Sequence, residues 1–339
     1  MIIIFIRVVI YYNHLMNKTI LTLLMLLSFP TASQAHVKWF VTEPFALHRY
    51  GLSDPAVLTW MAIVAVLALI AVLLDRSLFK TATSSECVHY RIYRLFLVLI
   101  GASLLATSYM GSVLAAHYTA NTQYMMNLQV IQAGIGVLFI FNVQAKASSI
   151  VLVLIYLFVG IKVGPIEILD YLNVLGIAAF VYCYNSRDLL RQYALPMLRV
   201  LTGAGLVVLA LSEKLLNPEL ATAFLADHQW NFMLNLGLNQ YSNALFILSV
   251  GFMELLFGVL FILGVVTRIN TAVISGFLLT SNMTFFLQDE LQMALVEIIG
   301  HLPLIAAAIV MVIYGAGTKL RLNPISDVKN NTCLTSVNG

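Results

Sequence analysis

Charge is what this sequence has least of. Only 10% of its 339 residues are Asp, Glu, Lys or Arg, against about 25% in a soluble globular domain, so the soluble classes are excluded. The few positive charges form no basic tract and the net charge is +3, which argues against nucleic acid as a partner. Cysteine is scarce as well. Cys87, Cys183 and Cys333 lie far apart and form no CxxC, so no disulfide framework, thiolate zinc site or thioredoxin-like motif follows. The chain also lacks a haem-attachment motif, a dinucleotide-binding glycine fingerprint and a P-loop. An electron carrier, if one is used, has to be a bound quinone, a bound metal or a partner protein. What fills the sequence is apolar: 61% hydrophobic residues and a mean hydropathy of +0.93, in long recurring runs that exclude disorder. This composition predicts an all-α integral membrane protein.

The N-terminus reads as a leader and signal peptide over 1–35. From Met16 the chain runs MNKTILTLLMLLSFPTASQA, with Lys18 before an apolar stretch and the small residues Ser33 and Ala35 at the cleavage positions. Met16 is an alternative start, and an uncleaved first transmembrane helix is the alternative reading. Cleavage after Ala35 gives an extracytoplasmic segment 36–56 that begins at His36.

A bilayer core needs about 20 mostly apolar residues per helix. The runs 57–74, 94–116, 126–143, 147–164, 166–184, 197–216, 244–266, 269–287 and 291–315 meet that need, although Gln129 and Gln132 interrupt the third. Lys and Arg concentrate in alternate loops, among them Arg76, Arg91, Lys146, Arg187 and Arg268. That bias predicts nine spans in a bacterial inner membrane, an extracytoplasmic N-terminus and a cytoplasmic tail over 319–339.

Within the chain, Gly136-Val137-Leu138-Phe139-Ile140 returns as Gly258-Val259-Leu260-Phe261-Ile262, with Gln132 matching Glu254 and Lys146 matching Arg268. Arg94 likewise matches Arg199, and Ser108-Tyr109 matches Glu213-Lys214. The chain therefore reads as a first helix and loop (57–90) followed by two parallel four-helix repeats, 91–190 and 196–318.

Ionisable residues inside a bilayer cost several kcal/mol and are functional candidates by default. The second repeat carries Glu213, Lys214, Glu254, Glu297 and His301, the last two on one helix face. The first keeps only Glu167 and Asp170, on its last helix. This places a candidate polar cluster in the second repeat, at or outside the midplane. A purely structural role between helices is the alternative.

Arg199-x3-Gly203 through Glu213-Lys214, then Glu254-x3-Gly258 and Gly264-x3-Arg268, resembles the DoxX-like family of four-helix membrane proteins, which includes DoxD/DoxX-type subunits. The resemblance covers 196–318, reaches the first unit only through the internal repeat, and leaves out the N-terminal helix. It implies a redox-associated, quinone-interacting subunit or partner of an extracytoplasmic oxidoreductase. A carboxylate and His301 beside an apolar cleft would then relay protons, with Arg199 and Arg268 as candidate cofactor-binding residues. Whether the chain is itself catalytic stays open, as does its oligomeric state.

Two other readings come from the residues. A mature N-terminal His36 offers an imidazole and an amine to copper, with His48 on the same segment; His117 and His228 also fall on outer loops. A small-solute transporter would use Glu254, Glu297 and His301 in its path. Finally, the loop 217–243 carries Trp230, Phe232, Met233, Leu234 and Leu236, spaced for an amphipathic helix lying on the membrane, with a lid over an outer pocket as the alternative.

Overall fold

The computed structural model describes residues 49–78, 88–119, 121–228 and 230–323. The expected leader, His36, His48, Cys87, Cys333 and most of the expected tail lie outside them. The described residues form helices and no strands: α1 (Pro55–Leu78), α2 (Tyr90–Tyr109), α3 (Gln123–Phe141), α4 (Ala145–Val163), and a 3₁₀ turn (Glu167–Tyr171) leading into α5 (Leu172–Tyr184). A single-turn α6 (Asp188–Arg191) leads to α7 (Ala194–Ala210), which runs on as a π turn (Leu211–Leu215). Then come α8 (Glu219–His228), a one-turn α9 (Phe232–Asn235), α10 (Asn243–Leu263), α11 (Thr267–Leu287) and α12 (Leu291–Tyr314). Nine of these segments are long and apolar enough to cross a membrane, so the chain is an all-α membrane protein. Large apolar side chains such as Leu69, Val130, Leu154 and Ile161 face outward, where a bilayer, unlike water, is a good solvent for them.

Helix order around the bundle follows from close pairs. α2 packs on α3, α4 on α5 and α5 on α7; in the same pattern α7 packs on α10, α11 on α12 and α12 on α2. α1 lies outside, against α10. Two crossings are set by facing glycines. A Cβ on Gly101 would sit 2.5 Å from the Gly136 carbonyl, and one on Gly203 would sit 2.6 Å from that of Gly258. Only glycine allows backbones this close, the small-residue packing that membrane helices favour. Each crossing also ends alike: α3 and α10 stop at left-handed caps, Asn142 (φ 55°) and Gly264 (φ 67°). Arg94 and Arg199 reach the last carbonyls of these helices, at Ile140 (2.8 Å) and Ile262 (2.9 Å).

Three expectations are corrected in detail. The second span stops at Tyr109 instead of 116, because Gly111 (φ 80°) and Leu114 (φ 63°) turn the chain back and Ser112 pairs with Thr119. Gln132 does not interrupt the third span. It is fully buried, donates to the Ser108 hydroxyl at 3.0 Å and accepts from the Leu114 N–H at 2.7 Å. The 217–243 segment is not a passive surface helix: Trp230 is buried with Phe224, Phe246 and Phe285, its indole N–H donating to Gln288 at 3.1 Å. The segment caps the end of the bundle where α10 and α12 begin and α11 stops.

Candidate functional site

α7 does not end as an α-helix. Its last turn widens into the π turn Leu211–Leu215, a distortion often found at functional sites, and there Glu213 and Lys214 are both buried. Room for them comes from Gly251 on α10, where a Cβ would meet Lys214 and Leu215 at 3.0 Å or less. One turn deeper, the Lys214 Nζ lies 2.8 Å from Glu254 Oε2. Glu254 follows Asn243, the first residue of α10, by eleven positions, so it sits about 16 Å down the helix, near its middle. The Ser212 hydroxyl donates to Asp170 Oδ1 at 2.9 Å, which brings in the 3₁₀ turn before α5. Asp170, Glu213 and Glu254 all act on Lys214 electrostatically. Lys214 thus pairs directly with Glu254, with Glu213 buried beside it on the π turn and Asp170 joined to that turn through Ser212.

The polar layer continues outward through aromatic hydroxyls. Tyr156 donates to the Ile168 carbonyl at 2.8 Å and Tyr118 to the Glu167 carbonyl at 3.1 Å, while the Tyr171 hydroxyl lies 3.4 Å from His117 Nδ1. Tyr118 stands on the loop outside the spans. Burial pushes its phenol well above the ordinary value, with the negative charge of Asp170 and then Glu167 adding to the effect. The site is thus shared: the second half of the chain gives Glu213, Lys214 and Glu254, and the first gives Asp170 and the tyrosines.

Glu297 and His301 are brought together on α12, 3.7 Å apart and almost wholly buried. This part of α12 faces α2. Pro303 has no N–H for the Ile299 carbonyl, and Ser103 on α2 supplies a donor to that carbonyl at 3.1 Å. Sequence reasoning singled out neither Ser103 nor Ser212, Tyr118 and Tyr171. The usable signal for the first was a proline inside an apolar run, which leaves one carbonyl without its helical partner.

Arg199 and Arg268 serve the backbone. The fully buried Arg199 guanidinium donates to the carbonyls of Phe261, Ile262, Ala316 and Leu320, and Arg268 donates to that of Ile313 at 3.0 Å. Asp75, another residue not singled out, is buried on α1. It accepts from the Val266 N–H at 2.9 Å, from Asn323 at 2.9 Å and from Arg321 at 3.1 Å. Of the histidines expected on outer loops, His117 is half-buried and His228 is buried, its Nδ1 3.3 Å from Glu290. Among the described residues, no three His, Cys, Asp or Glu side chains are grouped to hold a metal ion. Comparison with family models, with curated proteins and with solved structures finds no match to this chain.

Proposed function

We propose that the chain is a redox-associated inner-membrane protein of DoxX-like type that handles protons for a quinone-linked reaction, as a subunit or partner of an extracytoplasmic oxidoreductase. The observation that carries this reading is the Lys214–Glu254 pair inside the spans, with Glu213 buried beside it and Asp170 joined through Ser212. Ionisable groups at bilayer depth cost several kcal/mol and are functional candidates by default, and carboxyl groups beside an ammonium can take up and release protons. The donor set suits a quinone: Lys214 offers hydrogen bonds and Glu254, Glu213 and Asp170 exchange protons, while a bound quinone would supply the electron-accepting carbonyls. The hydroxyls of Tyr118 and Tyr171, with His117, extend toward the loop end and make a route for those protons.

Two finer elements belong to the same reading. The four-helix unit is duplicated, which the twin glycine crossings, left-handed caps and arginine-to-carbonyl bonds support. The loop end with His117 and α8 faces the extracytoplasmic side, which the loop distribution of Lys and Arg supports.

The test is purification from native membranes followed by lipid extraction and quinone analysis, with proton uptake followed during quinone reduction. The expected result is a co-purifying quinone, and loss of proton-coupled turnover in Glu254→Gln and Asp170→Asn. Absence of quinone together with proton-coupled solute uptake in proteoliposomes would overturn it in favour of a transporter.

A further inference from the structure

At the opposite end of the bundle from the carboxylate cluster lies an apolar cleft of about 440 Å³, between α4, α5 and the α6–α7 corner. Ser149 and Val153 of α4, Ala179 and Cys183 of α5, and Tyr193 and Met197 of α7 line it. Its exposed lining is almost wholly carbon. Val153 is the eighth residue after Ala145, the first of α4, which puts the cleft about 12 Å deep. That is close to one leaflet of a bilayer core about 30 Å thick.

The rim is basic. Lys146 is exposed and holds its ammonium 4.7 Å from the ring centroid of Tyr182, which also lines the cleft. Arg191 packs over Tyr184 at 5.4 Å, next to the lining residue Leu190, and Arg187 is exposed one turn before it. Against these three cations, 145–163 and 172–199 contain one acid, Asp188.

We infer that this cleft is a binding site for an anionic phospholipid, one acyl chain lying between α4, α5 and the α6–α7 corner and the phosphate at Lys146 and Arg187. A carbon-lined slot of one-leaflet depth beneath a cationic rim matches an amphiphile with an apolar tail and a negative head. A quinone would have to bury two carbonyl oxygens against a lining whose exposed surface is almost wholly carbon. The inference is independent of the quinone-linked reading, since the carboxylate cluster lies at the other end of the helices.

The experiment uses the full chain, stripped of native lipid and reconstituted into nanodiscs containing phosphatidylglycerol and phosphatidylcholine with identical acyl chains. Lipid retained on release into detergent is counted by native mass spectrometry. The wild type is expected to retain phosphatidylglycerol over phosphatidylcholine by about tenfold, since each basic residue near an anionic head group favours it. Lys146→Gln with Arg187→Gln should abolish that preference, and Ala179→Phe, which fills the cleft, should abolish retention of both lipids. Equal retention of the two lipids by the wild type, or an unchanged preference in the double variant, would overturn the assignment. So would wild-type retention of phosphatidylglycerol by a folded Ala179→Phe variant. The charge variant alters exposed side chains only, so it keeps the test decisive if Ala179→Phe fails to fold.

Discussion

Ser103 donates its hydroxyl to the backbone carbonyl of Ile299, 3.1 Å away on a helix nearly two hundred residues later. The bond exists because Pro303 interrupts α12 and removes the amide that would otherwise serve that carbonyl. Ser103→Ala should therefore destabilise the protein by about 0.5–1.5 kcal/mol, read as a lower melting temperature in detergent. In a Pro303→Ala background the same substitution should cost much less, because the restored amide serves Ile299. Equal losses in both backgrounds would show that Ser103 acts through packing instead.

Lys214 and Glu254 form a buried pair, and such pairs respond asymmetrically to substitution. Removing one partner leaves the other charge uncompensated, at a cost of about 3–5 kcal/mol, whereas replacing both with apolar residues is close to neutral. Lys214→Met should thus lower the melting temperature sharply, and Lys214→Met with Glu254→Leu should recover part of it. The proposed proton-coupled turnover should be absent from both. A double variant that stays stable and active would reduce the pair to a packing role.

Spans were readable because length and hydropathy suffice to mark a helix that must satisfy its own backbone in lipid. Glu254 and Lys214 were readable as costly residues, and the structure pairs them. The partnership of Asp170 with Ser212 was not readable, since it joins residues on two different spans and no periodicity encodes it. Trp230 was misplaced for a related reason: an amphipathic pattern fits burial against helix ends as well as against lipid, and only packing distinguishes them. Gln132 looked like a flaw in a span because polarity was visible and its partners, Ser108 and the Leu114 amide, were not.

The facing glycines give a steric prediction. A methyl group on Gly258 would stand 2.7 Å from the Gly203 carbonyl and 2.8 Å from Val207, so α7 and α10 would have to separate. Gly258→Ala should cost about 1–3 kcal/mol, and Gly136→Ala should behave likewise through the Gly101 carbonyl at 2.9 Å. By contrast, Gly134→Ala and Gly276→Ala meet open space and should leave the melting temperature unchanged. Thermal melts of the four variants, measured side by side, check the contrast.

Alkaline pH probes Tyr118. Burial, then the charge of Asp170, raises its phenol above the ordinary value in the folded state, so the folded chain keeps a proton that the unfolded chain loses near pH 10. The stability associated with that proton is complete below about pH 10 and falls as pH rises beyond it. Tyr118→Phe should flatten the fall in melting temperature above pH 10. Ultraviolet titration should show the same early tyrosinate step in both proteins and a smaller late step in the variant. An early step reduced by one tyrosine would mean that Tyr118 ionises normally.

Asp75 near the end of α1 grips Arg321 and Asn323, and Arg199 grips the carbonyls of Ala316 and Leu320. The segment 316–323 thus works as a clasp between helices made early and helices made late. During synthesis, Asp75 and Arg199 enter the membrane long before the residues that neutralise or occupy them have left the ribosome. Until then the bonds that these two residues make to 316–323 cannot form. Assembly of this protein is consequently completed from its C-terminal side.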